Sequence, residues 1–324
     1  MNYRLPGLVD LHVNGFAGVD YNSPTLTPEA LAQSLAAMRQ TGVTQCLPTV
    51  ITSSTAHFAA CAQAVVASAD PMIAGLHMEG PYISPDDGPR GAHPLAFVAA
   101  ASIEDFKRRQ DAAAGRIKLV TLAPEVPGAF ALIEYLVAHG ITVGIGHSGA
   151  SAQCIHDAAT AGATLSTHLG NGCAATMDRH HNVLWPQLAD DRLSGAFIAD
   201  GHHLPHDTLK AMIKAKGLDH TILVTDAVCA AGAPVGIYSL ASLQVQVDAN
   251  RKVTEVGKTN LAGSALTLDH AVRNTCHWCD LPLESVWPLA SQSAAAAIGI
   301  QPMGTVDVAW DPAAFTLTVQ ATHP

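Results

Sequence analysis

The sequence predicts an α/β chain wound into a (β/α)8, TIM-like barrel. Short β-rich runs alternate with alanine-rich amphipathic stretches along most of its 324 residues, the pattern of repeated βα units around a parallel sheet. Eight such units can be counted, and a closed barrel of that kind commonly occupies about 200 to 400 residues as one domain. Glycine closes the amphipathic stretches at Gly42, Gly115, Gly140, Gly162 and Gly217, where a residue without Cβ ends a helix in the left-handed conformation.

The elements follow in order. Strands are predicted at 8–13, 43–51, 72–78, 117–122, 141–145, 164–167, 193–199 and 221–225. Helices are predicted between them at 28–40, 56–69, 103–114, 129–139, 152–161 and 207–216, with apolar residues at three- and four-residue spacing such as Leu31, Leu35 and Met38. The rhythm then changes. Residues 237–247 and 252–256 read as a small β excursion, followed by helices at 266–279 and 283–297. Two last strands, 305–310 and 314–319, predict a small C-terminal β appendage at 305–324 beside a barrel at 1–304.

Composition narrows the function classes. With 17 Lys+Arg against 27 Asp+Glu, the net charge repels nucleic acid and anionic membrane surfaces. Neither a signal-peptide core nor a membrane-length apolar run is visible, so a soluble cytoplasmic protein is expected. The seven scattered cysteines suit free thiols in a reducing compartment. Histidine is abundant, at 17 residues, which raises the prospect of a metal or acid–base site.

Catalytic groups of such barrels sit at the C-terminal ends of the strands. There the sequence places His12 and Asn14, then His77 and Glu79, then His147, His168, the run Asp200 to His203, and Asp226. A single histidine at a strand end is more often a hydrogen-bonded structural residue, but several on one rim favour ligation. Glu79 is costly to bury unpaired, and its cation could be a metal or an arginine. Glu79, His147 and His168 make a sensible set of three protein ligands with a position open to water. Asp226 could then move protons, or merely cap the segment after it. Two further features are ambivalent: Cys276 and Cys279 are a lone CxxC in a helical pattern, more suited to packing, and Arg179, in the polar loop 173–192, is either an ordinary exposed cation or an anion contact.

At these residues the chain resembles the N-acetylglucosamine-6-phosphate deacetylase family of the amidohydrolase superfamily. The resemblance runs from about Leu5 to Gly304 through PGLVDLHVNG, GLHMEGPYISPDDGPRGAHP, GHSGA, STHLGN, IADGHH, LVTDA and LAGSALTLDHAVRN. It implies that Glu79, His147 and His168 hold one divalent ion, zinc or else iron or another metal, and that Asp226 is the general base and acid. It further implies that His93 contacts the substrate carbonyl or sugar, that Asn171 and Gly172 bind the sugar, and that His203 and Arg179 serve the sugar or its phosphate. In the family the arginine can come from the partner subunit of a homodimer.

The chain departs from the family at several places. His12-x-Asn14 stands where two-metal members carry two histidines, which predicts a single ion and leaves His12 and Asn14 as a possible second or vestigial site. The sequence begins almost at the first barrel strand, so only a C-terminal remnant of the family's β-sandwich is expected. The segment around Arg179 and the Gly172-Cys173 pair also differ. The expected reaction is hydrolysis of an N-acetyl amino-sugar phosphate, with N-acetylglucosamine 6-phosphate giving glucosamine 6-phosphate and acetate. Two rivals stand beside it: an unphosphorylated or differently acylated substrate, and a non-catalytic metal- or sugar-binding barrel.

Overall fold

A computed structural model describes residues 1–324. The chain opens with β1 (Asn2–Pro6) and β2 (Leu8–Val13), then a small hairpin of β3 (Gly15–Phe16) and β4 (Val19–Asp20). Next come α1 (Pro28–Arg39), β5 (Val43–Ile51), α2 (Thr55–Ala67), β6 (Leu76–Glu79), α3 (Ile103–Ala112), β7 (Ile117–Leu122), α4 (Ala129–Ala138), β8 (Thr142–Ile145) and α5 (Ala152–Thr160). β9 (Leu165–Ser166), α6 (Leu184–Ala189), β10 (Ser194–Ile198), α7 (His206–Lys216) and β11 (Thr221–Val224) complete the repeating units. The rest is β12 (Gly236–Leu240), β13 (Leu243–Val247), β14 (Val253–Glu255), α8 (Leu268–Cys279), α9 (Leu283–Val286), α10 (Gln292–Ala297), β15 (Thr305–Asp311) and β16 (Thr316–His323).

Eight strands form one sheet in the order β11-β10-β9-β8-β7-β6-β5-β2, every pair parallel. The expected barrel is present, and its seam lies between β2 and β11. Across that seam Val13 bridges Ala227, and Asn14 N donates to the Ala227 carbonyl at 2.7 Å. Below the bridge the buried Asp10 carboxylate accepts from Thr225 Oγ1 at 2.6 Å, Thr225 N at 3.2 Å and His12 N at 3.3 Å. Burial pushes its pKa up to about 6 against those donors. A side chain therefore completes closure where the backbone ladder stops.

One hydrophobic cluster of 76 buried residues fills the barrel and the space under its helices, so the barrel is a single folding unit. All five expected glycines, Gly42, Gly115, Gly140, Gly162 and Gly217, take positive φ, although Gly217, with ψ of 154°, is extended beyond the left-handed helical region. The β excursion is an antiparallel sheet, β12-β13-β14, over its own eight-residue core. Residues 283–297 do not make one helix. Pro288, which has no N–H to donate, falls in a 3-10 turn (Trp287–Ala290) that separates α9 from α10.

The C-terminal appendage is larger than expected from the tail alone. β15 lies between β16 and β1, with Asn2 opposite Ala309 and Leu5 opposite Val306. Both chain ends therefore contribute, and a boundary after residue 304 leaves Asn2–Pro6 out of the sheet they belong to. The loop 173–192 also holds the short helix α6. Its end is fixed by the buried Lys216, whose Nζ donates to the carbonyls of Gln187 at 2.9 Å and Asp190 at 2.7 Å, supplying the donors that a helix C-terminus lacks.

Candidate metal centre and active site

The residues at the strand ends converge. Glu79 closes β6, His147 and His168 follow β8 and β9, and all three are buried. Glu79 Oε1 lies 3.1 Å from His147 Nε2 and 3.0 Å from His168 Nε2, and the two imidazole nitrogens are 3.0 Å apart. A donor atom from each of the three falls within 4.8 Å of the others. His147, His168 and Asp226 all take left-handed backbone conformations, with φ of 53°, 31° and 50°. Non-glycine residues rarely adopt that region, and such strain concentrates where a fold must aim a side chain.

The donor set fits a divalent cation. The Pro89 carbonyl lies 2.9 Å from His147 Nδ1 and can only accept, which places the imidazole proton on Nδ1. His147 Nε2 then has only a lone pair to turn toward Glu79, and two electron-rich atoms at 3.1 Å call for a cation between them. Burial raises the Glu79 pKa, but the charge on His12 and the hydrogen bond from His12 overcome it and hold the carboxyl well below its ordinary range. Burial also lowers His168, which favours the neutral, ligating form. His168 Nδ1 is buried with no hydrogen-bond partner in the protein.

Asp226, after β11, meets the cluster through His12. Its Oδ1 accepts from Asn14 Nδ2 at 2.6 Å and lies 3.2 Å from His12 Nε2. His12 Nε2 is also 3.2 Å from Glu79 Oε2. Burial lowers the His12 pKa, but Glu79 and Asp226 together push it up to about 9. His12 and Asn14 are thus both turned toward Asp226.

The remaining sequence-predicted residues divide. His93 joins the cluster, with Nε2 3.7 Å from Glu79 Oε2, its ring 4.2 Å from the His147 ring, and Nδ1 2.8 Å from Thr52 Oγ1. Gly172 lies against the Glu-His-His cluster: a Cβ there would sit 3.0 Å from His147 Nδ1 and 3.1 Å from His168 Cε1. Asn171 turns its amide back to the His168 carbonyl at 3.2 Å. The His203 side chain is buried and pairs through Nδ1 with Asp200 Oδ2 at 2.7 Å, near enough to Asp226 to feel its charge. Arg179 is not brought in. It is exposed, its carbonyl accepts from Trp185 Nε1 at 3.0 Å, and its guanidinium makes no hydrogen bond or ion pair with the cluster. Cys276 and Cys279 are buried free thiols on α8, in keeping with packing.

Sequence reasoning missed the groups that aim these side chains. The Pro89 carbonyl, Thr52 and Asp10 leave no spacing signature, because each acts on a residue distant in sequence. Positive φ at His147, His168 and Asp226 was equally invisible, since none of them is glycine or asparagine.

The sequence matches the profile of the amidohydrolase family over residues 3–318. It is 34% identical over 310 residues to the N-acetylglucosamine-6-phosphate deacetylase of Vibrio furnissii, spanning 94% of this chain and 76% of that one. It is 33% identical over 308 residues to the N-acetylgalactosamine-6-phosphate deacetylase of a Shewanella species, spanning 93% and 75%. In three dimensions it superposes with a TM-score of 0.91 and 27% identity on N-acetyl-D-glucosamine-6-phosphate deacetylase from Mycobacterium smegmatis in complex with N-acetyl-D-glucosamine-6-phosphate, over 99% of this chain and 85% of that one. A closed parallel barrel, a Glu-His-His cluster at its C-terminal rim and this similarity along nearly the whole length place the chain in the amidohydrolase family.

Proposed function

We propose that the protein hydrolyses the N-acetyl amide of N-acetylglucosamine 6-phosphate, releasing acetate and glucosamine 6-phosphate. The observation that carries this is the Glu79, His147 and His168 cluster with Asp226 joined to it through His12, whose Nε2 lies 3.2 Å from both Glu79 Oε2 and Asp226 Oδ1, in a chain whose deacetylase relatives align along almost its entire length. Zinc is the ion best suited to the Glu79, His147 and His168 donors, one per subunit, because two imidazoles and a carboxylate are a usual catalytic zinc set. Such an ion supplies Lewis-acid polarisation of the amide carbonyl and lowers the pKa of water toward neutrality.

The chain's own residues do the rest. Asp226 removes a proton from the attacking water and returns it to the leaving nitrogen, since an amide C–N bond breaks only when the nitrogen departs protonated. Water adds to the carbonyl carbon, the C–N bond breaks, and the oxygen ends in acetate. His93 is suited to the carbonyl oxygen because its Nε2 faces the cluster. Asn171 and Gly172 follow His168 on the rim where a sugar ring would lie, and Gly172 has no Cβ to crowd the His147 and His168 rings. His203 is suited to the sugar or its phosphate, since Asp200 favours its cationic form.

Arg179 is assigned to the phosphate. Its exposure suits service to the partner subunit of a homodimer. No helix is long and apolar enough to cross a membrane, and a cytoplasmic site of action suits a phosphorylated sugar. A second reading, the galacto epimer as substrate, is favoured by the similarity to the Shewanella enzyme.

An acetate-release assay on zinc-reconstituted protein, with both N-acetylhexosamine 6-phosphates and their unphosphorylated forms, tests the proposal. Turnover fastest with the gluco 6-phosphate is expected. A preference for an unphosphorylated amide would overturn the phosphate, and no acetate from any of the four would overturn the activity.

A further inference from the structure

Directly beneath the metal ligands lies a line of buried polar side chains to which the reaction assigns no part. His77, on β6 two residues before Glu79, is completely buried. Its Nδ1 is 3.2 Å from Thr49 Oγ1 on β5, and its Nε2 is 2.8 Å from Thr121 Oγ1 on β7. Thr121 Oγ1 is in turn 2.7 Å from Thr167 Oγ1, on the residue preceding His168. Thr121 and Thr167 meet across β8 because that strand carries glycine there. A Cβ on Gly144 would fall 2.5 Å from Thr167 Oγ1 and 3.2 Å from Thr121 Oγ1, and one on Gly146 would fall 2.7 Å from Thr121 Cγ2.

Counting protons gives the line a direction. The Thr49 hydroxyl already accepts from Val13 N at 3.0 Å and has the Leu47 carbonyl as an acceptor at 3.2 Å. If Thr49 donates to Leu47, then His77 Nδ1–H donates to Thr49, Thr121 donates to His77 Nε2, and Thr167 donates to Thr121. Every proton finds an acceptor. Reversed, the line leaves the Thr167 proton with none, and a buried orphan donor costs more than the bond it replaces gains.

We propose that His77 is a positioning residue of the metal centre: a neutral imidazole, protonated on Nδ1, locked by the one-way chain Thr167 to Thr121 to His77 to Thr49. The His77 imidazole ties β5, β6 and β7 together one layer below the ligands, so that Glu79 is carried by a strand whose spacing to its neighbours cannot drift, while Thr167 only orients the Thr121 hydroxyl. The His77 ring also meets the His12 ring edge-on, with centroids 4.6 Å apart. The positioning role rests on the metal-centre reading above, but the tautomer does not.

The tautomer is read by 15N NMR on the histidine-labelled protein, with and without zinc, with the His77 signals identified by their loss in His77→Gln. A proton on Nδ1 and none on Nε2 is expected; a proton on Nε2 overturns the direction of the chain. Zinc affinity is then measured by competition with a chelating dye. Thr121→Val, which strips His77 Nε2 of its donor, should weaken zinc binding about tenfold, the lower end of what outer partners of metal sites contribute. Thr167→Val, which orphans no proton, should change it less than about threefold. Equal losses in the two variants, or no loss in Thr121→Val, overturn the positioning role. A wild-type chain that bound no zinc would overturn the metal-centre reading, and the NMR result would separate that failure from a wrong assignment of the chain.

Discussion

Asn14 Nδ2 donates to Asp226 Oδ1 over 2.6 Å, across the seam that closes the barrel. The contact occupies one carboxylate oxygen and leaves Oδ2 for the proton that the proposed mechanism assigns to Asp226. The reverse amide orientation would set Asn14 Oδ1 against a carboxylate, so the chemistry fixes which end faces Asp226. A hydrogen bond to a charged group is worth about 1.5–3 kcal/mol. Asn14→Ala should therefore lower kcat roughly 10- to 100-fold, with KM and bound zinc near the wild-type values, as steady-state kinetics and metal analysis would show. A loss of zinc with kcat per bound ion unchanged would mean that Asn14 serves the ion instead.

Removing the proton carrier is the sharper test of the chemistry. Asp226→Asn keeps the shape and the Oδ1 position but cannot take a proton. Its turnover should fall by about 10² to 10⁴, the usual range for general acid–base groups, while calorimetry still detects zinc and substrate binding. Undiminished acetate release would sink the mechanism.

Zinc bound only by the native state raises stability by mass action. A chelator should lower the Tm of the wild type and leave that of Glu79→Gln unchanged, because the amide removes the one anionic donor of the set. Scanning calorimetry with and without chelator reads this directly, and equal chelator shifts in the two proteins would exclude Glu79 from the site.

Asp200 and His203 link stability to pH. Burial opposes both charges, but their mutual hydrogen bond and attraction lower Asp200 and raise His203. The His203 contribution is fully present below its unfolded value near 6.5 and is lost as pH rises through its raised folded value. The Asp200 contribution is present above its unfolded value near 3.9 and is lost as pH falls through its lowered one. The pair stabilises most between about pH 4 and 6.5. His203→Gln should remove the decline above that window in urea midpoints taken from pH 5 to 9. Parallel curves for the two proteins would show that the pair does not titrate as described.

Arg179→Ala should raise KM for the 6-phosphate about tenfold, the scale of one charge-assisted contact, and leave an unphosphorylated amide unaffected. Unchanged KM for the phosphorylated sugar would remove Arg179 from phosphate binding.

Much of this architecture is legible in the residue order because its signals are local. Alternation of apolar strands with helices of 3.6-residue period, most of them closed by glycine, is enough to specify eight βα units. The C-terminal ends of those strands then point to Glu79, His147, His168 and Asp226 as one group. Local signals mislead where a distant partner decides. The extended tendency of Asn2–Pro6 carries no indication of β15 as its neighbour, more than 300 residues away in the chain. α6 depends on Lys216 from another helix, whereas the break at Pro288 is a local one, since proline has no N–H to continue a helix.

The order of residues alone settled which side chains could be ligands and on which rim they would meet, because strand polarity and period are properties of short segments. Tertiary structure alone decided how they are aimed. The Pro89 carbonyl selects the tautomer of His147, Asn14 selects the free oxygen of Asp226, and Gly144 opens the space in which Thr121 and Thr167 meet. Each is a contact of about 3 Å or less between segments far apart in sequence, and a hydrogen bond acquires its direction only once both ends are in place.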